Sequence, residues 1–286
     1  MSKRSRYDGG PRDATPPPLP EPLRVPVTDS HTHLDLLDEP VADVIAAAVS
    51  VGVTRMVTIG VDVATSRLGA ETAASYDEVF AGVAIHPNEA HFSSDDALAD
   101  IALLAALPQV RVIGETGLDW FRAHGGPGAA KVAPTREEQG LSFRAHLDIA
   151  RAVNKPVMIH DRDAHTDILH VLDAHGAPET VIFHCFSGDA DFARECISRG
   201  YVLSFAGTVT FSNAPHLREA LLLAPLDQIL VETDAPFLTP VPFRGRPNSP
   251  YLIPVTVRAM AAVKGIDEDE MATALAANAE RCFGPW

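Results

Sequence analysis

The sequence predicts an α/β chain of the (β/α)8 (TIM) barrel class. Three observations point there. Eight short β-rich runs alternate with helical patterns after residue 26. Runs such as "VIFH" (181–184) and "PVMIH" (156–160) are apolar almost throughout, as parallel strands covered on both faces are. Six of the eight end on histidine or a carboxylate, and strand C-termini are where such barrels carry their sites. A doubly wound open sheet is the alternative, but no G-x-G-x-x-G follows the first run and no P-loop pattern occurs.

The elements follow in order. Residues 1–25 contain "TPPPLP" (15–20) and few apolar side chains, so they are expected to form a disordered, proline-rich extension. Residues 26–286 are expected to form a single (β/α)8 barrel domain. The strands are expected at 27–33, 55–60, 79–85, 110–115, 156–160, 180–184, 201–206 and 228–232. Helical spacing of apolar residues predicts helices at 41–51, 95–107, 136–153, 163–175, 189–199, 214–223, 253–263 and 268–277. Asp95, Asp163, Asp189 and Asn213 stand where helices start, and Gly52, Gly176 and Gly200 where they stop.

Charge constrains function. The 286 residues carry net charge −15; the first 25 carry five basic and three acidic side chains, so the remainder stands at −17. Such a surface repels nucleic acid at long range, and a phosphate-binding role needs a local source of positive charge, which bound metal ions supply. No apolar stretch approaches membrane-spanning length, and no apolar segment follows Lys3, Arg4 and Arg6. Three cysteines without paired spacing suit a reducing compartment. A cytoplasmic protein with no membrane partner is expected.

The strand ends carry the chemistry. The first ends His31-Thr32-His33, and residues two apart on a strand face the same way, so both imidazoles converge on one point. Later strands end on His86, Glu115, His160, His184 and Asp234. His31, His33, Glu115, His160, His184 and Asp234 are more ligands than one tetrahedral ion takes. Two divalent ions would use them, and paired ions clamp both oxygens of a displacement and lower the pKa of a water. Glu115 is the candidate bridge, and Asp234 the candidate metal ligand that also takes a proton. His91, His124, His146, His165, His170, His175 and His216 are expected to be surface or satisfied residues.

The motifs "DSHTHLD" (29–35), "GETGLDW" (114–120), "KPVMIHDRDAH" (155–165), "FHCFSG" (183–188) and "VETDAPFL" (231–238) resemble the TatD family of metal-dependent deoxyribonucleases, which are amidohydrolase-like barrels. "RGRPNSP" (244–250) and "NAERCFG" (278–284) extend the resemblance. It implies the same six metal ligands, with Glu115 and Asp234 catalytic, two divalent ions (Mg, Mn or Zn), and hydrolysis of DNA from 3′ ends or of RNA. It places His86 and Arg162 near the scissile phosphate. His86-Pro87-Asn88 departs from the family's frequent His-Pro-His, and Asn248-Ser249-Pro250 from its Asn-Glu-Pro, which bears on specificity. Arg122, Arg162, Arg244 and Arg246 are candidate phosphate contacts, and Phe121, Phe186 and Phe205 are candidate base-stacking residues, with packing the better expectation for these three. DNA or RNA ends are the expected substrate, with no obligatory protein partner. The competing reading is a metal-dependent amide, ester or lactone hydrolase, since the same centre polarises a carbonyl. A non-catalytic module acting through "PPPLP" is the remaining alternative.

Overall fold

The computed structural model describes residues 13–123 and 133–285. Eight strands form one sheet in the order β1 to β8: β1 Val27–Thr32, β2 Val53–Ile59, β3 Val79–Val83, β4 Val110–Asp119, β5 Val157–Arg162, β6 Val181–Phe183, β7 Val202–Phe205 and β8 Ile229–Val231. Between and after them lie helices α1 Val41–Ser50, α2 Val63–Ser75, α3 Asp95–Ala105, α4 Trp120–Ala123, α5 Arg136–Val153, α6 His165–His175, α7 Ala190–Ser198, α8 Pro215–Leu223, α9 Ile253–Lys264 and α10 Glu268–Phe283. Consecutive strands adjacent in a parallel sheet, each followed by a helical crossover, make this a (β/α)8 barrel.

The chain divides into two compact units, residues 58–187 and residues 1–57 with 188–286. In the first, β3, β4, β5 and β6 pair in parallel, with Ala81 opposite Val110, Ile113 opposite Val157 and Val157 opposite Val181. α5 opens on a capping box, in which Thr135 Oγ1 accepts the Glu138 N–H and Glu138 Oε2 accepts the Thr135 N–H. Its inner face buries Phe143, Leu147 and Ala150. α2, which the sequence periodicity missed, is capped by Asp62 and Thr65 and packs on small residues, Ser66, Gly69, Ala70 and Ala73. Small buried residues carry little hydrophobic contrast, so the 3.6-residue pattern is faint there.

In the second unit, β7 pairs with β8 (Leu203 opposite Ile229), and Ser30 Oγ on β1 donates to Val231 O at 2.9 Å. Asn278 of α10 donates to Leu226 O and Ile229 O, tying the last helix to the start of β8. The expected disordered tail needs correction here. Residues 1–12 lie outside the described residues, but 13–25 are held. Leu23 is buried and its N–H donates to Val51 O. Tyr251 OH donates to Pro17 O, Arg246 to Thr15 O and Pro16 O, and Arg258 to Glu21 O. Prolines bring carbonyls without N–H groups, and side chains of the 246–258 region supply the missing donors.

The described helix starts also refine the sequence reading. Asp189 caps α7 as expected, whereas α3 is capped by Ser94, one residue before Asp95. No side chain caps α6 or α8, so Asp163 and Asn213 do not act as their caps. None of the three cysteines is in a disulfide, and no described helix is long and apolar enough to cross a membrane.

Candidate metal centre

β1 and the loop after β8 build one cluster. His31 and His33 present their Nε2 atoms 3.3 Å apart, with rings nearly perpendicular. Asp234 Oδ1 stands 3.5 Å from His33 Nε2 and 3.7 Å from His31 Nε2. Backbone bonds fix this approach: Asp234 N–H donates to His31 O, and His33 N–H to Ala235 O. Below them Asp29, fully buried, accepts the N–H and hydroxyl of Thr233 and the N–H of His31. Burial pushes the Asp29 carboxyl up to about 8 against the pull of those hydrogen bonds. Asn248 completes the clasp by donating to Thr233 O and Phe237 O. Asp29 lies inside the first motif, "DSHTHLD", where its spacing before the histidine pair is the only sequence signal for this role, and Asn248 carries no such signal for its own.

β3 to β6 build the second cluster around Glu115. Its Oε1 lies 2.6 Å from His160 Nδ1, 3.0 Å from His184 Nε2 and 3.3 Å from His86 Nε2. Two glycines permit this. A Cβ on Gly114 would meet Met158 Cβ at 2.6 Å, and Gly117, at φ +137°, would drive one to 2.2 Å from His160 O. Only glycine lets β4 approach β5 so closely, and that brings Glu115 and His160 side by side. β4 therefore runs on to Asp119, past the expected end at Glu115.

The electrostatics follow from this packing. Burial works against the charge of Glu115, yet the His184 and His86 imidazoles and the His160 hydrogen bond hold its carboxyl well below the usual range. Burial alone would lower His160, but Asp119 and Glu115 raise it to about 9. His86 is lowered, first by burial. Asn88 N–H donates to His86 Nδ1 at 3.0 Å, which leaves the proton on Nε2, facing Glu115.

Both donor sets fit a divalent cation. In each, imidazole nitrogens and a carboxylate oxygen lie within 4.8 Å of one another (His31, His33 and Asp234; His86, Glu115 and His160), and mostly buried carboxylates crowded by imidazoles are the surroundings a cation satisfies. His184 joins the second set through Glu115. His86, expected at the phosphate, sits on the carboxylate.

Other candidates sort differently. Arg162 is exposed at the end of β5, its guanidinium 4.2 Å above the Phe121 ring. Arg244 lies 4.2 Å over Phe211, while Arg246 is engaged by residues 13–16. The Arg122 side chain and His124 lie outside the described residues. Phe186 and Phe205 are core residues. His146 is buried and satisfied: Nδ1 donates to Ser142 O, and Nε2 accepts the Ile85 N–H.

Comparison with known proteins agrees with this geometry. The sequence profile of TatD related DNases matches residues 28–284. A Mycobacterium tuberculosis protein named "Uncharacterized metal-dependent hydrolase TatD" is 44% identical, covering 90% of this chain and 98% of its own. A Citrobacter rodentium protein named "3'-5' ssDNA/RNA exonuclease TatD" is 34% identical, covering 85% and 91%. Among solved structures, the TatD homologue YJJV of Escherichia coli K12 superposes with TM-score 0.79 at 26% identity over 91% of this chain and 98% of its own. A TatD family hydrolase of Entamoeba histolytica shares the fold, with TM-score 0.80 at 16% identity over 92% and 99%. Two clusters of metal-competent side chains at the strand ends, on a barrel whose sequence matches that profile nearly from end to end, place this chain in the TatD related DNase family as a metal-dependent hydrolase.

Proposed function

We propose that the chain hydrolyses phosphodiester bonds at the 3′ ends of single-stranded DNA or RNA, with two divalent ions (Mg, Mn or Zn) held by His31, His33, Glu115, His160, His184 and Asp234. The observation that supports this most is the Glu115 cluster, a buried carboxylate facing three imidazoles. The exonuclease name of the Citrobacter rodentium relative supports the substrate class. Bound divalent ions would supply charge to polarise the phosphate and acidify a water. Asp234 Oδ1, the more exposed of the two carboxylates, takes the proton of the attacking water, while Glu115 holds its neighbours in place. Arg162 meets a phosphate oxygen, and the adjoining Phe121 offers a ring face to a terminal base. Few phosphate contacts on an acidic chain give a modest salt dependence.

The test is cleavage of single-stranded DNA and RNA oligonucleotides by the purified chain. Each carries a 5′ label, so removal of 3′ nucleotides leaves a ladder of shortened labelled products. The reaction is run in EDTA, then with Mg²⁺ or Mn²⁺ restored. The expected ladder requires metal and is absent in His184→Ala. Hydrolysis of lactones or amides, with oligonucleotides left intact in every metal, would overturn the phosphodiester reading.

A further inference from the structure

Asp119 is a buried carboxylate beside His160 and is none of the six proposed metal ligands. It ends β4 at 1% exposure, and a buried charge of this kind needs firm partners to be tolerated. The Asp119 backbone is gripped by Gln139 of α5, whose Oε1 accepts its N–H at 2.8 Å and whose Nε2 donates to its carbonyl at 3.2 Å. Its carboxylate is held by Asn88, whose Nδ2 donates to Oδ2 at 3.1 Å. The same Oδ2 faces His160 Nε2 at 3.3 Å. His160 therefore stands between two carboxylates, with Nδ1 toward Glu115 and Nε2 toward Asp119.

A neutral imidazole has one N–H and one lone pair, so whichever nitrogen carries the proton decides which side can bind a cation. We propose that Asp119 is a positioning residue: it accepts the Nε2–H of His160 and so aims the Nδ1 lone pair at the Glu115 cluster. A carboxylate behind a metal-binding imidazole fixes its tautomer and orientation and raises its basicity. Asn88 is the anchor of this arrangement. Its amide can only donate from Nδ2, so it keeps Asp119 Oδ2 an acceptor, and its own N–H on His86 Nδ1 orders the neighbouring ring by the same turn. Asp119 thus acts through His160 and touches no substrate. The inference rests on the metal reading of the Glu115 cluster.

The experiment is a Mn²⁺ titration by calorimetry on the metal-stripped full chain, with the urea midpoint of each metal-free protein measured alongside. Wild type is compared with Asp119→Asn, Asp119→Ala, Asn88→Ala and His160→Ala. Asp119→Asn keeps an acceptor oxygen without the charge, so its affinity is expected between wild type and Asp119→Ala. For Asp119→Ala the affinity of one binding event falls about ten- to hundredfold, the range for such partners. Asn88→Ala weakens the same event by less. A packing role alone would lower the urea midpoint and leave affinity untouched, and that result, with His160→Ala still defective in binding, would overturn the proposal. If Asp119→Ala does not fold, Asp119→Asn decides, and wild-type affinity there overturns it. Wild-type affinity in His160→Ala would instead overturn the metal reading of the cluster.

Discussion

The two clusters are made of similar groups held in different ways. At His31, His33 and Asp234, the geometry comes from backbone: β1 and the post-β8 loop exchange main-chain hydrogen bonds, with Asp29 and Asn248 locking the loop from behind. The carboxylate there stays 3.5 Å or more from its imidazoles and is partly exposed. At Glu115 the contacts span 2.6–3.3 Å, the carboxylate is buried, and a chain of side chains (Asp119, then Asn88 and Gln139) stands behind His160. A site that must exchange substrate and proton needs an accessible group, and one that must hold charge in place needs a rigid one. The looser cluster suits the first task and the tighter one the second.

The largest expected break in this comparison is Glu115→Gln. It keeps the shape but removes the charge on which three imidazoles converge, and turnover should fall by at least about a hundredfold, read as initial rate at saturating Mn²⁺. Next comes Asn248→Ala, which leaves Thr233 O and Phe237 O without their donor. It should cost about 1–3 kcal/mol in a urea melt and weaken metal binding at the β1–β8 cluster, with the Glu115 cluster untouched. Equal weakening at both clusters would contradict their separate support.

A third test uses pH. Burial holds the His146 imidazole near 4, below its ordinary 6.5, against the opposing pull of the Ser142 carbonyl, and the neutral ring is the form that accepts the Ile85 N–H. Between those values the unfolded chain binds more protons than the folded one. The stability from neutral His146 is therefore complete above about pH 6.5 and is lost as pH falls toward 4, up to about 3 kcal/mol. The stability gap between wild type and His146→Gln should narrow steadily from pH 7 to 4.5 in urea melts. A gap that widens on acidification would reverse the sign and refute the assignment. The smallest effect belongs to Arg162→Ala, which stands outside both clusters. Its KM for oligonucleotide should rise about tenfold while metal content stays that of wild type.

Much of this was legible in the sequence. The eight strands were visible because parallel strands are apolar throughout, and the strand-end residues because histidine and carboxylate are costly at such places without a purpose. α2 was missed because its buried face is Ser66, Gly69, Ala70 and Ala73, which give no apolar stripe. The extension of β4 to Asp119 was missed because Gly117 reads as a break, whereas its positive φ is what brings β4 against β5. The hold on residues 13–25 was hidden because it depends on donors more than two hundred residues away, Arg246, Tyr251 and Arg258. Asp29, Asn88 and Asp119 were within or beside quoted motifs, but a second layer of hydrogen bonds has no spacing rule by which to find it.

Metal content tests most directly whether each cluster holds its own ion. Wild type, His33→Ala and His160→Ala, each dialysed against the same free Mn²⁺, would be assayed by inductively coupled plasma mass spectrometry. Two ions per chain are expected in wild type and one in each variant. Two ions retained in either variant, or a single ion in wild type that both variants lose, would contradict one ion per cluster.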